Sequence, residues 1–141
     1  MISPKDVSDT DEWVAAEIGR LRTTCDVIID SHALTREDYG FRAIPYSVRQ
    51  LDALKFDAII ALRCDPEILI TRVAVDPGGR RSLTVELARE IQVLQEALGL
   101  HYAVASGCTA FVIDTSGRTA AEVRSIAVRI LKQIGANVSN E

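Results

Sequence analysis

Residues 56–73 read FDAIIALRCDPEILITRV and carry the clearest signal for the fold of this chain. The apolar run at 57–63 predicts a short strand that is covered on both faces. Asp65 then precedes Pro66, the arrangement of a helix N-cap followed by proline at the first helical position. A buried strand that leads into a helix is typical of strand–helix–strand units, so the stretch predicts a parallel sheet with helices on its faces.

The alternation of strand and helix continues on both sides. DVIID at 26–30 and TAFVI at 109–113 predict two further buried strands, whereas residues 31–44 are polar and irregular with a glycine breaker. Helical spacing and capping residues predict the remaining elements. The predicted helices cover residues 11–22 with Asp9 in a capping box, 46–54, 66–75, 84 to about 107 with Gly107 as the stop, and 119–134 with a Thr119–Glu122 capping box.

Composition limits the class of protein. The 141 residues are 48% apolar and 26% charged, which fits one domain over 11–135 with polar segments at 1–10 and 136–141. A net charge of −4 weighs against a nucleic-acid partner. No apolar run reaches the roughly 20 residues of a membrane span, and no secretion signal is recognisable. Three cysteines, an odd number without metal-ligand spacing, are typical of a reducing compartment, so we expect a cytoplasmic protein without membrane contact.

Ligands of parallel sheets bind beyond the carboxyl ends of the strands. At the end of the first predicted strand lie Asp30 and His32. A carboxylate there can hold a magnesium-bound water or orient a nucleophile, and a nearby histidine can relay a proton or contact a phosphate. The alternative for Asp30 is a purely structural role, in which its carboxylate accepts backbone N–H bonds of the loop.

Three arginines surround the glycine pair after the second predicted strand. Arg72 lies on the helix, and Arg80 and Arg81 follow Gly78-Gly79 in the loop near 74–82. A mobile loop with several guanidinium groups can close as a lid over a phosphate chain and neutralise its charge. The alternative is an ordinary solvated loop.

The loop after the third predicted strand, residues 114–118, reads DTSGR. Thr115 and Ser116 could present polar groups to a purine ring, or the loop could be only a turn and a helix cap. A phosphate-cradling sequence is absent: none of the three lysines follows a glycine-rich stretch, and neither G-x-x-x-x-G-K-[ST] nor G-x-G-x-x-G occurs.

Residues 27–45 (VIIDSHALTREDYGFRAIP), 56–73 and 101–114 (HYAVASGCTAFVID) together resemble a known family. They are similar to archaeal-type adenylate kinases and to the small bacterial AAA-like ATP-binding proteins of the P-loop kinase group. Shared features are a strand-end Asp-x-His, an arginine before an arginine-bearing lid, a long helix, and a closing strand and helix. The resemblance covers about residues 12–134 and implies a three-layer α/β/α fold with a mainly parallel sheet.

The resemblance also implies ATP with Mg²⁺ as the cofactor and phosphoryl transfer to a nucleoside monophosphate. Asp30 matches the residue that organises magnesium, and His32 matches the histidine of the Asp-x-His. Arg72 matches the arginine before the lid, and Arg80 matches a lid arginine that contacts phosphates. Arg81 falls where some relatives have aspartate. The loop with Thr115 and Ser116 matches the region beside the adenine.

One departure from the family is large. Its members begin with a strand, a phosphate loop and a substrate-selecting segment, none of which precedes Asp11 here. The absent strand would be central, between 26–30 and 57–63, and its loss would invite pairing with a second copy or an N-terminal complement. We therefore expect a kinase-like nucleotide-binding chain that is truncated or inactive alone. The alternative is a nucleotide- or protein-binding module without catalysis. A phospho-receiver domain is disfavoured, because Asp114 stands where a lysine would be needed.

Overall fold

A computed structural model describes residues 4–32, 34–43, 45–75 and 82–137, with the backbone alone for residues 4–12. These residues form five helices and four strands. In chain order they are α1 (Pro4–Leu21), β1 (Leu34–Glu37), β2 (Gly40–Ala43), α2 (Val48–Leu54), β3 (Ala58–Arg63), α3 (Pro66–Ala74), α4 (Val85–Ser106), β4 (Thr109–Asp114) and α5 (Ala120–Gln133).

The predicted α/β class is confirmed by a parallel pair of strands. β3 and β4 run side by side from the pair Ala58–Thr109 to the pair Arg63–Asp114. Parallel neighbours need a crossover, and α3 and α4 supply it. The predicted strands at 57–63 and 109–113 are therefore confirmed, and their carboxyl ends meet at one edge.

The core lies between α4 and the elements that precede β3. Leu51 and Tyr102 are buried, and Tyr46 and Phe56 pack against them. The Tyr46 ring centroid lies 5.3 Å from that of Tyr102 and 5.9 Å from that of Phe56. Ile59 joins the same cluster and connects it to the sheet. This aromatic group holds α2 and α4 in place relative to β3.

The helix boundaries follow the capping residues that the sequence contains. Asp65 Oδ1 accepts the Glu67 N–H at 2.8 Å at the start of α3, and Thr84 Oγ1 accepts the Leu87 N–H at 3.2 Å at the start of α4. Gly107 ends α4 with a φ of +65°, a left-handed conformation that favours glycine. The predicted helices at 46–54, 66–75, 84–107 and 119–134 are confirmed to within a few residues.

The predicted strand at 26–30 is wrong. These residues form no strand, because a strand requires a hydrogen-bonded neighbour and, among the described residues, β3 pairs with β4 alone. Side-chain contacts hold the segment instead. Asp26 Oδ2 accepts the Asn137 N–H at 2.7 Å, and the Tyr46 hydroxyl lies 3.1 Å from Ser31 Oγ. The resulting sheet has two strands where the sequence predicted three.

Two other predictions need correction. Residues 34–43 are an antiparallel hairpin of β1 and β2, not an irregular loop, and Gly40 begins the second strand with a φ of +129°. Helix α1 begins at Pro4, so Asp9 lies inside the helix and cannot be its N-cap. The segment at 1–10 is thus helical from Pro4 onward. The lid residues 76–81 lie outside the described part of the chain.

None of the described helices has both the length and the apolar character that a membrane crossing requires.

Candidate functional site

The carboxyl ends of β3 and β4 are joined by hydrogen bonds between the loops that leave them. The Thr115 N–H donates to the Arg63 carbonyl at 2.7 Å, which extends the parallel ladder by one residue. The Asp65 N–H donates to Ser116 Oγ at 2.7 Å. The loop Asp114–Arg118 is thereby fixed to the N-terminus of α3.

Arg72 reaches this loop from the last turn of α3. Its two terminal nitrogens donate to Thr115 Oγ1 at 3.0 Å and to the Thr115 carbonyl at 3.1 Å. Thr115 is only 8% exposed, and its hydroxyl also donates to the Arg63 carbonyl at 3.0 Å. A planar guanidinium that makes two such bonds is held in one orientation. Arg72 is therefore a positioning residue of the loop.

Asp114 carries a stable negative charge at the end of β4. Hydrogen bonds from the Ser116 hydroxyl and from the Ser116 N–H, at 2.9 Å, hold the pKa of this carboxyl below its usual value. Arg63 and Arg118 add a smaller electrostatic contribution in the same direction. Gly117 turns the chain with a φ of +61°, so a side chain at this position would strain the backbone.

The start of α5 completes the loop through a reciprocal cap. The Glu122 N–H donates to Thr119 Oγ1 at 3.3 Å, and the Thr119 N–H donates to Glu122 Oε2 at 2.7 Å. The Thr119 hydroxyl also donates to Glu122 Oε2, at 2.9 Å. The two bonds that Thr119 donates to the ionised carboxylate lower the pKa of Glu122. The predicted capping box is confirmed.

Acid is expected to weaken this end of the protein. Because the folded-state pKa of Asp114 and of Glu122 is lowered, each carboxylate stabilises the fold above its ordinary pKa and loses that contribution as the pH falls through the lowered value. Glu122→Gln keeps an acceptor for the cap but cannot titrate. Urea unfolding at neutral pH and near pH 3 should show a smaller acid-induced loss for Glu122→Gln than for the unchanged protein. Equal losses would contradict this account.

An open concavity of about 580 Å³ lies beside the first turn of α5. Arg72, Thr115, Arg118 and Arg124 line it together with two small apolar residues of α5. Arg118 is held by a 2.9 Å bond from its Nε to the Asp114 carbonyl. Three guanidinium groups thus lie around one concavity in a chain of net charge −4. The arrangement can attract a phosphate or another anion.

The structure brings some of the predicted site residues together and keeps others apart. Arg72, Thr115 and Ser116 form one hydrogen-bonded group. Asp30 and His32 are exposed on the segment before β1, and neither bonds to that group. Arg80 and Arg81, predicted as lid residues, lie outside the described residues, so nothing in the fold tests their role.

Sequence reasoning did not single out Arg118 or Arg124 as binding residues. Arg118 had a detectable signal, because it directly precedes the Thr119 cap at the end of a strand and so belongs to the sheet edge where ligands bind. Arg124 had none: its placement depends on the rotation of α5 against the sheet, which a single sequence does not reveal.

Magnesium finds no ready set of protein ligands in the described part of the chain, where no three His, Cys, Asp or Glu side chains lie close enough together. Mg²⁺ commonly binds through substrate phosphates with few carboxylates.

The chain matches no protein-family model and no curated protein.

Proposed function

We propose that this chain is a nucleotide-binding module of the kinase-like class that it resembles, and that it takes ATP at the carboxyl edge of β3 and β4. The observation that carries the proposal is the arginine-lined concavity next to the loop Asp114–Arg118. Arg72, Arg118 and Arg124 supply three cationic groups in a chain that is acidic overall.

The position and chemistry of the concavity both favour a nucleotide. Ligands of parallel sheets bind beyond the strand ends, where this concavity lies. Guanidinium groups match phosphate oxygens in charge and geometry. Thr115 lines the concavity and Ser116 belongs to the same loop, which is the region that the family resemblance sets beside the adenine. Arg72 is already fixed by its bonds to Thr115, so the site needs little ordering when the nucleotide binds.

Binding rather than phosphoryl transfer is the proposed activity of these 141 residues. Transfer depends on positioning and charge stabilisation by a phosphate loop and its lysine, and the sequence has no such motif. In the family that the chain resembles, ATP donates its γ-phosphoryl group to a nucleoside monophosphate. Mg²⁺ would enter with the ATP phosphates, and Asp30, His32, Arg80 and Arg81 would have the roles that the family resemblance implies for them. A three-layer α/β/α sandwich and a cytosolic location belong to the same proposal.

Isothermal titration with ATP, with and without Mg²⁺, tests the proposal. We expect saturable binding that Arg118→Gln weakens by roughly tenfold, because a charged hydrogen-bond donor to phosphate contributes on the order of 1.5 kcal/mol. Arg129→Gln is the matched control: it removes the same charge from α5 but does not line this concavity. Circular dichroism should show that both variants are folded.

Two results would overturn nucleotide binding. The first is absence of heat of binding at millimolar ATP. The second is an equal loss of affinity in Arg118→Gln and Arg129→Gln, which would reflect net charge, or the adjoining concavity that both arginines line, and not this site. Tripolyphosphate in place of ATP separates the two parts of the ligand: if it binds as tightly as ATP, the base contributes nothing.

A second candidate function is a protein-binding module. Ile28 and Leu62 are 78% and 61% exposed, although both belong to apolar runs that were predicted to be buried. Among the described residues β3 has one hydrogen-bonded neighbour, so its other edge could accept a strand from another chain. Absence of ATP binding, combined with self-association that Leu62→Glu abolishes, would favour this function over the first.

A further inference from the structure

Helix α4 carries an apolar stripe on the side turned away from the core. Val93, Leu100 and Val104 are 60%, 51% and 81% exposed, and Ala97 between them is exposed as well. Their spacing of four, three and four residues places all four side chains along one line of the helix. The stripe extends over three turns of the C-terminal half of α4.

The opposite side of α4 is buried against the rest of the protein. Ala88 is completely buried there, and Tyr102 and Ala103 are nearly so. Toward the N-terminus of the helix the outer face is charged, with Glu86, Arg89 and Glu90 exposed. A helix that is apolar on both sides is normally buried on both sides.

We propose that the α4 stripe is a homodimer interface, in which the stripe of a second copy packs against it antiparallel about a twofold axis. A spacing of four, three and four residues is the repeat of helices that pair side by side. With the axis beside Leu98 and Gly99, Val93 meets the partner's Val104, and Ala97 meets the partner's Leu100. Each apolar side chain of the stripe is then covered, and a small residue faces a large one.

The charges on α4 select the antiparallel orientation. Glu86 and Glu90 continue the line of the stripe toward the N-terminus of the helix. A parallel pair would set each of these carboxylates against its own copy, and like charges that face each other destabilise a helix pair. In the antiparallel pair both carboxylates lie beyond the partner's Val104, near solvent. The same stripe therefore pairs with itself in only one direction.

The size of the stripe predicts a weak dimer. Stable interfaces bury about 800 Å² on each partner, and one helix face with four apolar side chains supplies less than that. We therefore expect a dissociation constant in the micromolar range or above, so the chain is monomeric when dilute and dimeric when concentrated.

Sedimentation velocity over about two decades of concentration tests the interface. The mass should rise from that of the 15.4 kDa chain toward twice that value. Leu100→Glu should keep the protein monomeric throughout, and Val104→Glu, at the most exposed position of the stripe, should do the same with less risk to folding. Leu62→Glu is the matched control on the sheet and should leave the dimer unchanged.

Disulfide trapping tests the orientation in a Cys25→Ala background, which removes the exposed native thiol. A mixture of Val93→Cys and Val104→Cys chains should cross-link as a heterodimer, whereas Val104→Cys alone should not. A monomer at every concentration, or a dimer that survives Leu100→Glu, would overturn the proposal. Dissociation of the dimer by Leu62→Glu would show that the contact lies on the sheet. Efficient cross-linking of Val104→Cys alone would show that the two helices pair in parallel. Each of these results excludes the antiparallel interface.

Discussion

Replacing Tyr102 by alanine is expected to lower the free energy of unfolding by about 3 kcal/mol or more. Tyr102 is 6% exposed and lies at the centre of the core cluster, with its ring against Tyr46 and near Leu51. The truncation removes aromatic contacts and leaves a cavity that the neighbouring rings cannot fill without leaving their positions. Urea unfolding followed by circular dichroism measures the loss.

Tyr102→Phe is the control for this prediction. It keeps the ring and removes only the hydroxyl, which accepts the Tyr46 N–H at a long distance of 3.4 Å. Burial raises the pKa of the Tyr102 phenol, so the hydroxyl is neutral in the folded protein at neutral pH. We expect a loss of no more than about 1 kcal/mol. A loss in Tyr102→Phe as large as in Tyr102→Ala would show that the hydrogen bond, and not the packing, holds α2 to α4.

The second large effect is expected at Arg72. Arg72→Ala removes both bonds to Thr115, and the nearly buried Thr115 carbonyl loses its partner. Hydrogen bonds from a charged donor contribute about 1.5–3 kcal/mol, so we expect a loss of stability in that range. Because the loop Asp114–Arg118 forms one wall of the concavity, ATP affinity should fall more than tenfold in the same variant.

Arg72→Lys distinguishes the effect of the two hydrogen bonds to Thr115 from the effect of the positive charge. Lysine keeps the positive charge but cannot make two parallel bonds from a planar group, so it should recover little of the lost stability. Arg129→Ala provides the surface control and should change neither stability nor affinity. Full stability in Arg72→Ala would contradict the positioning role. Weakened ATP binding in an equally stable Arg72→Ala would instead indicate direct contact with the nucleotide.

The elements that could be predicted from the sequence are those whose signals are local. Thr84 and Thr119 cap the helices that they precede, and Asp65 with Pro66 fixes the start of α3, because these side chains bond to backbone groups two or three residues away. The apolar runs of β3 and β4 indicated strands, and the helices between them implied the parallel crossover.

The features that could not be predicted depend on distant parts of the chain. Residues 26–30 have the composition of a strand, but composition does not supply the neighbouring strand that would pair with them. The hairpin at 34–43 has mixed polar side chains and little periodicity, and its pairing depends on the turn at residues 38–39. Likewise, the bond from Arg72 to Thr115 joins residues 43 positions apart. The sequence therefore indicated that the loop 114–118 lies at the strand ends, but it did not indicate that Arg72 bonds to this loop or that Arg118 and Arg124 line the concavity beside it.

The most direct test of nucleotide binding at this edge is an NMR titration of the uniformly labelled protein with ATP and Mg²⁺. We predict amide shift changes concentrated in residues 114–124, which form the loop and first turns of α5, together with a shift of the Arg72 side-chain signal. The hairpin at 34–43 should change little. If saturating ATP leaves the amide shifts of residues 114–124 unchanged, or causes its largest shift changes at the hairpin, nucleotide binding at this edge is contradicted.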